Sequence, residues 1–153
     1  MKEKEVLDII NEAISENRSL FLVDLKFSNN NKIDVIIDGD DGVNLKECIR
    51  VNRYIENNLD REEEDYSLEV SSPDIASPIK NIRQYNKNKG RILKVKTSTE
   101  NFEGNLIEVN TQDIVLEWKA REPKPIGKGK VTVTKTAIIL FNDIIEAKVK
   151  ILF

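Results

Sequence analysis

The sequence predicts an α+β protein in two parts: an α-β-β-α-β domain over residues 1–82 and a small all-β barrel domain over residues 83–153. Three observations lead there. Apolar residues follow the periods helix, strand, strand, helix, strand up to Pro73, and beyond residue 90 only the two-residue period recurs. Two prolines, Pro73 and Pro78, interrupt the chain between these regimes. The charge also changes sign. Residues 1–82 hold ten Lys and Arg against nineteen Asp and Glu, whereas residues 83–153 hold fourteen against eight. The net charge of −3 hides this split, which suits the second part to an anionic partner such as RNA.

The first apolar stripe, over residues 2–17, comprises Val6, Ile10, Ala13 and Ile14, with Leu7 and Ile9 beside it. Glu3 and Glu5 suit the positive end of that helix's dipole. Residues 20–27 alternate, with Phe21, Val23, Leu25 and Phe27 on one side. Ser28–Asn31 forms a turn, because Asn tolerates positive φ, and Ile33, Val35 and Ile37 face inward on the return strand. Asp38–Gly42 is a loop. Asn44 and Glu47 make a helix start with a capping box, and the helix runs to Leu59. It is expected to bury Leu45, Cys48, Ile49, Val51 or Asn52, Ile55 and Leu59. An acidic connection, Glu62, Glu63, Glu64 and Asp65, leads to a strand with Tyr66, Leu68 and Val70 inward, whose pairing should stop near Ser72. Three strands with two helices on one face bury every stripe once.

In the second part, residues 80–90 predict one or two helical turns used as a hinge. Residues 91–97 alternate, Leu93, Val95 and Thr97 lying opposite Ile92, Lys94 and Lys96. Residues 102–109 follow, with Gly104 a candidate bulge, then residues 114–119. Residues 120–130 hold Pro123, Pro125, Gly127 and Gly129 and are expected to carry no ladder. Strands over 131–141 and 146–153 flank a 3₁₀ turn at 142–145. Five short strands without a helix predict a small barrel, whose closure removes exposed edges.

Several chemistries are excluded or weakened. The chain has no His, which removes the commonest general base and every Ser-His pair. Its single Cys, Cys48, cannot form an internal disulfide and suits a reducing cytoplasm. No apolar run approaches the roughly 18 residues of a membrane span, and MKEKEVLDII lacks a signal peptide's apolar core. Asp38, Asp40 and Asp41 are metal candidates, but their spacing around Gly39 and Gly42 fails the EF-hand pattern and a turn explains them better. No phosphate-binding loop occurs, and no cofactor is expected. Lys119, Arg121, Lys124, Lys128 and Lys130 surround one loop, with Lys94 and Lys96 as candidate neighbours on a barrel face. Such a cluster would bind RNA through counterion release, with little sequence preference. Trp118 at its edge is expected to fill the barrel rather than stack on a base.

The stretch Tyr66–Pro78, with LEVSSP and a second Pro, resembles the signature of the bacterial ribosome maturation factor RimP family. It departs at Asp74 and Ser77, where the family commonly has Gly and Arg. The family's strand ending in Asp, Gly-containing loop and Cys-bearing helix correspond to Val35–Asp38, Gly42–Val43 and Cys48, and the barrel half matches more loosely through Lys89–Gly90, Phe102–Gly104 and Ile144–Ala147. The resemblance implies an SH3-like barrel and a cytoplasmic, non-catalytic factor. Its partner would be the immature small (30S) ribosomal subunit, through rRNA and a ribosomal protein near the decoding centre. It also makes Ser71, Ser72, Pro73, Asp74, Ser77 and Pro78 a candidate functional surface or domain joint. The rival readings are a generic RNA-binding module and, more distantly, a carboxylate–metal phosphodiesterase. A monomer is expected, since no apolar stripe is left unpaired.

Overall fold

A computed structural model describes residues 3–62 and 64–151. Lys2 of the first expected helix, Glu63 of the acidic connection, and Leu152 and Phe153 of the last expected strand lie outside them. The chain forms two compact units. One runs to Asp74 and includes Lys80–Gln84; the other takes Ile75–Ile79 and the chain from Tyr85 onward.

The first unit contains α1 (Glu3–Ser15), β1 (Leu20–Ser28), β2 (Lys32–Gly39), α2 (Leu45–Asn58) and β3 (Ser67–Ser71). The sheet order is β1-β2-β3. β1 and β2 form an antiparallel hairpin across Asn30 and Asn31, both at positive φ. β3 lies parallel to β2, so a crossover is required, and α2 supplies it. Val6, Ile10, Ile33, Val35, Ile37, Val51 and Ile55 are fully buried in one core.

Two expectations about this core need correction. The first concerns β1, where the register slips between Leu22 and Asp24. The extra residue, Val23, reverses the alternation. Leu20 and Leu22 therefore join Leu25 and Phe27 on the core side, while Phe21 points the other way. Phe21 is nonetheless only 4 % exposed, and the Arg83 guanidinium lies over its ring, 4.7 Å from the centroid. The second concerns α2. Leu45 is 75 % exposed and Ile49 43 %. At about 100° per residue, both are rotated by roughly a quarter turn or more from the arc of Cys48, Val51 and Ile55 that faces the sheet. Cys48 is buried as expected, and that burial pushes its thiol pKa up.

Asn44 caps α2, its Oδ1 accepting from the Glu47 N–H at 2.9 Å. The Glu47 carboxylate has a different task from the capping-box role expected of it. It accepts from Arg50 Nε at 2.6 Å and from Asn17 Nδ2 at 3.0 Å. Arg50 Nη1 in turn donates to the Ala13 carbonyl at 3.0 Å, at the C-terminal end of α1, and to Glu16 at 2.8 Å. This hub joins the end of α1 to the start of α2.

The segment Lys80–Gln84 lies along β1, which is an edge strand with unpaired carbonyls. Asn81 Nδ2 donates to the Leu22 carbonyl at 3.1 Å. Arg83 Nη2 donates to the carbonyls of Arg18 (2.7 Å) and Ser19 (3.2 Å), and Nη1 to that of Leu20 (3.4 Å). Arg83 also donates to both carboxylate oxygens of Asp40, from Nε at 3.0 Å and from Nη2 at 2.7 Å. Asn81 accepts from the Arg83 N–H at 2.9 Å, starting α3 (Ile82–Lys87), and Gln84 accepts from the N–H groups of Lys80 and Asn81. Lys80 pairs with Asp24 at 2.7 Å and holds that carboxyl below its usual pKa.

The second unit contains β4 (Ile92–Thr97), β5 (Asn101–Val109), β6 (Asp113–Pro123), β7 (Lys130–Leu140) and β8 (Ile144–Val149). The strands form one antiparallel sheet in the order β7-β6-β5-β4-β8, with β7 and β8 as its outer strands. The expected barrel therefore takes the form of a five-stranded sheet whose ladders do not close. Leu93, Val95, Leu106, Ile114, Leu116, Ile139 and Ala147 fill its core beside Tyr85, whose hydroxyl pKa burial pushes up to about 12. β8 ends at Val149, short of the predicted strand. The bulge in β5 falls between Leu106 and Glu108, not at Gly104.

Two predictions follow from the first unit. The Glu47 pKa is held below its ordinary 4.5, first by Arg50 and then by Asn17. A depressed carboxylate contributes stability that is present above the unfolded-state value and lost as pH falls through the folded value. Glu47→Gln should therefore flatten the fall of the urea midpoint below about pH 4.5 relative to wild type; parallel acid limbs would contradict this. Arg83→Lys keeps the charge but loses the fork and the stacking plane. It should cost about 1–3 kcal/mol and speed amide exchange in 80–84, and unchanged exchange would show that the clamp holds nothing.

Candidate nucleic-acid interface

The expected cation loop proves to be a projecting ribbon. β6 and β7 pair from Asp113↔Leu140 through to Pro123↔Lys130, so residues 120–123 and 130 do hold a ladder, contrary to expectation. The reason is position. β5 pairs with β6 only as far as Asn105↔Glu117, and β7 is an outer strand, so beyond Glu117 the two strands pair only with each other. Pro123, which has no N–H to give, sits at the last rung, where the ladder ends anyway. The connection shrinks to Lys124–Gly129, closed by Lys124 N–H donating to the Gly129 carbonyl at 3.1 Å. Gly127 and Gly129 take φ of 87° and 94°, which L side chains rarely adopt.

Gly104 belongs to the root of this ribbon. A Cβ there would stand 2.8 Å from the Glu117 carbonyl oxygen and 3.2 Å from Trp118 Cε3. The bare backbone thus lets β5 approach β6 where the ribbon departs. Trp118 packs inward against the core, its ring centroid 6.3 Å from that of Phe102, in agreement with the core role expected of it.

The ribbon brings Lys119, Arg121 and Lys130 onto one face and carries Lys124 and Lys128 on its tip. All five are exposed, and none has an ion-pair partner among the described residues. Lys94 and Lys96 lie on the non-core face of β4, in different electrostatic company. Lys94 is paired in register with Glu103 and Lys96 with Glu146, and those acids also take Lys150 and Lys148 at 3.1 Å each. Sequence reasoning missed three residues on the ribbon. Lys135 forms an ion pair with Glu122 across its opposite face. Thr132 and Thr134 stand beside Arg121 and Lys119; the β-branched strand pattern signalled a strand but not which face would be cationic.

The other candidate residues fall elsewhere. Ser71 ends β3, opposite Ile36, where the Pro73 rule placed the stop. Ser72, Pro73 and Asp74 continue from it without regular structure, and Ser77 and Pro78 follow in the second unit. Among the described residues no three carboxylate or thiol side chains gather as a metal site. Asp38 is buried and accepts from the Gly39 N–H at 2.8 Å, and Asp40 is held by Arg83.

Gly104→Ala should lower the thermal midpoint by several degrees, the consequence of about 1–3 kcal/mol of overpacking against backbone that has no free rotamer. A midpoint within error of wild type would show that the β5–β6 approach is slack.

The sequence comparisons agree with one another. The model of the RimP N-terminal domain matches residues 9–76. The ribosome maturation factor RimP of Christiangramia forsetii is 50 % identical over 153 residues, covering all of both chains. That of Flavobacterium psychrophilum is 50 % identical over 152 residues, covering 99 % of this chain and 98 % of its own. That of Porphyromonas gingivalis is 34 % identical over 146 residues, covering 94 % and 95 %. With full-length relatives at half identity, a matching N-terminal model and the LEVSSP stretch where β3 ends, the chain belongs to the ribosome maturation factor RimP family.

Proposed function

We propose that this protein binds the immature small ribosomal subunit and assists its maturation without catalysing a reaction. Full-length identity of 50 % to two proteins named ribosome maturation factors carries the reading. The unpaired cations of the β6–β7 ribbon support rRNA as one contact, with Lys94 and Lys96 as a secondary, charge-mixed patch. A small-subunit ribosomal protein near the decoding centre is the second proposed contact. The five-stranded unit is proposed to curl as an SH3-like barrel, with domains over 1–82 and 83–153. Ser71, Ser72, Pro73, Asp74, Ser77 and Pro78 are proposed to form a functional surface or joint. The protein is proposed to act as a cytoplasmic monomer without a cofactor.

Such a factor works by differential affinity. It binds a folding intermediate of the subunit better than the finished particle, raises the population of productive conformers, and leaves when complementarity is lost. No step needs nucleotide hydrolysis. Sedimentation of the tagged protein with ribosomal fractions of its host, at low and moderate salt, tests this. Recovery with free small subunits and absence from assembled ribosomes is expected. Equal recovery with all RNA would favour a generic RNA-binding module, and no recovery at low salt would sink both.

A further inference from the structure

The ribbon beyond Glu117 has two chemically different faces. Residues paired across an antiparallel ladder share a face, and successive rungs alternate. One face carries Lys119 with Thr134, Arg121 with Thr132, and Pro123 with Lys130. The other carries Trp118 with Lys135, Ala120 with Val133, and Glu122 with Val131. Beyond Glu117, which stands on this face at its root one step before Lys119, the first face has no acid and no aromatic ring. Its three cations have no ion-pair partner and its two threonine hydroxyls no hydrogen bond among the described residues, and all five residues are exposed. On the second face the lone cation, Lys135, is already committed to Glu122, and the rest is small or apolar.

We infer that the Lys119–Arg121–Thr132–Thr134–Lys130 face is the RNA contact of this ribbon, and that it reads the phosphodiester backbone and not the bases. This rests on the maturation-factor reading and deepens it. The chemistry is a match of donors to anionic oxygens. Guanidinium, ammonium and hydroxyl groups all donate to phosphate, and alternate residues along a strand repeat at about 6.8 Å. A ribbon six rungs long offers such donors over roughly 20 Å. The face lacks the aromatic platform on which a base would stack, and Trp118 is turned toward the core. It lacks Asn, Gln and acidic side chains, and the guanine edges that Arg121 or the lysines could read lie in the deep, narrow major groove of paired RNA, which side chains do not enter. Lys135 and Glu122 neutralise each other and take no part.

The test compares four full-length proteins by fluorescence anisotropy against a labelled RNA hairpin of arbitrary sequence across a KCl series: wild type, Lys119→Gln/Arg121→Gln, Thr132→Val/Thr134→Val, and Lys135→Gln. All substitutions are at exposed positions, and Thr→Val preserves shape and strand preference, so folding is retained and checked by the thermal midpoint. The charge variant should bind about tenfold or more weakly at low salt, and its slope of log K against log salt should shrink by about 0.7–0.9 per cation removed. The threonine variant should bind about threefold more weakly with an unchanged slope, because hydroxyls release no counterion. Lys135→Gln should stay within about twofold of wild type. A slope in the charge variant equal to wild type, or a Lys135→Gln loss as large as its loss, overturns the inference. If wild type still co-sediments with small subunits in that event, the proposed function stands and only the face is wrong. If wild type binds neither hairpin nor subunit, both fail together.

Discussion

An edge strand must do something with its unpaired backbone groups, and much of this structure follows from how two such strands do it. β1 has no strand on its outer side, where the carbonyls of Leu20 and Leu22, and those of Arg18 and Ser19 just before it, are open to other donors. They are met by side-chain donors from Lys80–Gln84. Arg83 is suited to this as Lys would not be, since one planar group can donate in several directions while its face covers Phe21. Asp40 holds the guanidinium in that plane and compensates its charge. The acidic DGDDG loop, which invites a metal reading, thus includes the counterion of a structural arginine. The bulge at Val23 belongs to the same arrangement, because turning Phe21 outward creates the apolar plate on which the guanidinium rests.

The other edge is treated in the opposite way. β7 is left uncovered, and beyond Glu117 it and β6 form a two-stranded ribbon carrying cations, threonines and a Pro/Gly tip. Lysines and prolines on an edge discourage pairing with another strand. The same features make the ribbon available to an anionic polymer, which does not need ladder hydrogen bonds. Under the proposed function, protection from aggregation and readiness for phosphate therefore draw on one set of residues.

Much of the fold was legible because most elements bury one stripe. The strand of Ile33, Val35 and Ile37, the Asn44 cap and the alternation of Leu93, Val95 and Thr97 are all local patterns, and each appears as read. What escaped depends on partners distant in sequence. Val23 is unremarkable until its register against β2 is known, and Leu45 and Ile49 pass for core residues until the sheet chooses an arc of α2. Pro123 breaks a ladder only where a neighbour needs its N–H, and no local window reveals that β6 has a single neighbour there. Arg83 lies more than sixty residues from the carbonyls it serves. The site was half legible for the same reason: the cations were countable, whereas their division between two faces, and the loss of Lys135 to Glu122, required the register.

That division bears on selectivity. A face that meets phosphates alone cannot recognise a sequence, so under the proposed function its discrimination must come from the shape in which RNA presents its backbone. Shape is what changes as a ribosomal subunit matures. Every tenfold preference for one RNA conformer over another shifts the balance between them by about 1.4 kcal/mol, and a ligand equally fond of both shifts nothing. A rigid ladder with donors at fixed spacing is better placed to express such a preference than a flexible loop of the same composition, which would follow the RNA through its change. The ladder through Pro123 thus has a consequence beyond local pairing. Under the proposed function it converts a basic loop into a template, and a template can both favour an intermediate and release the product.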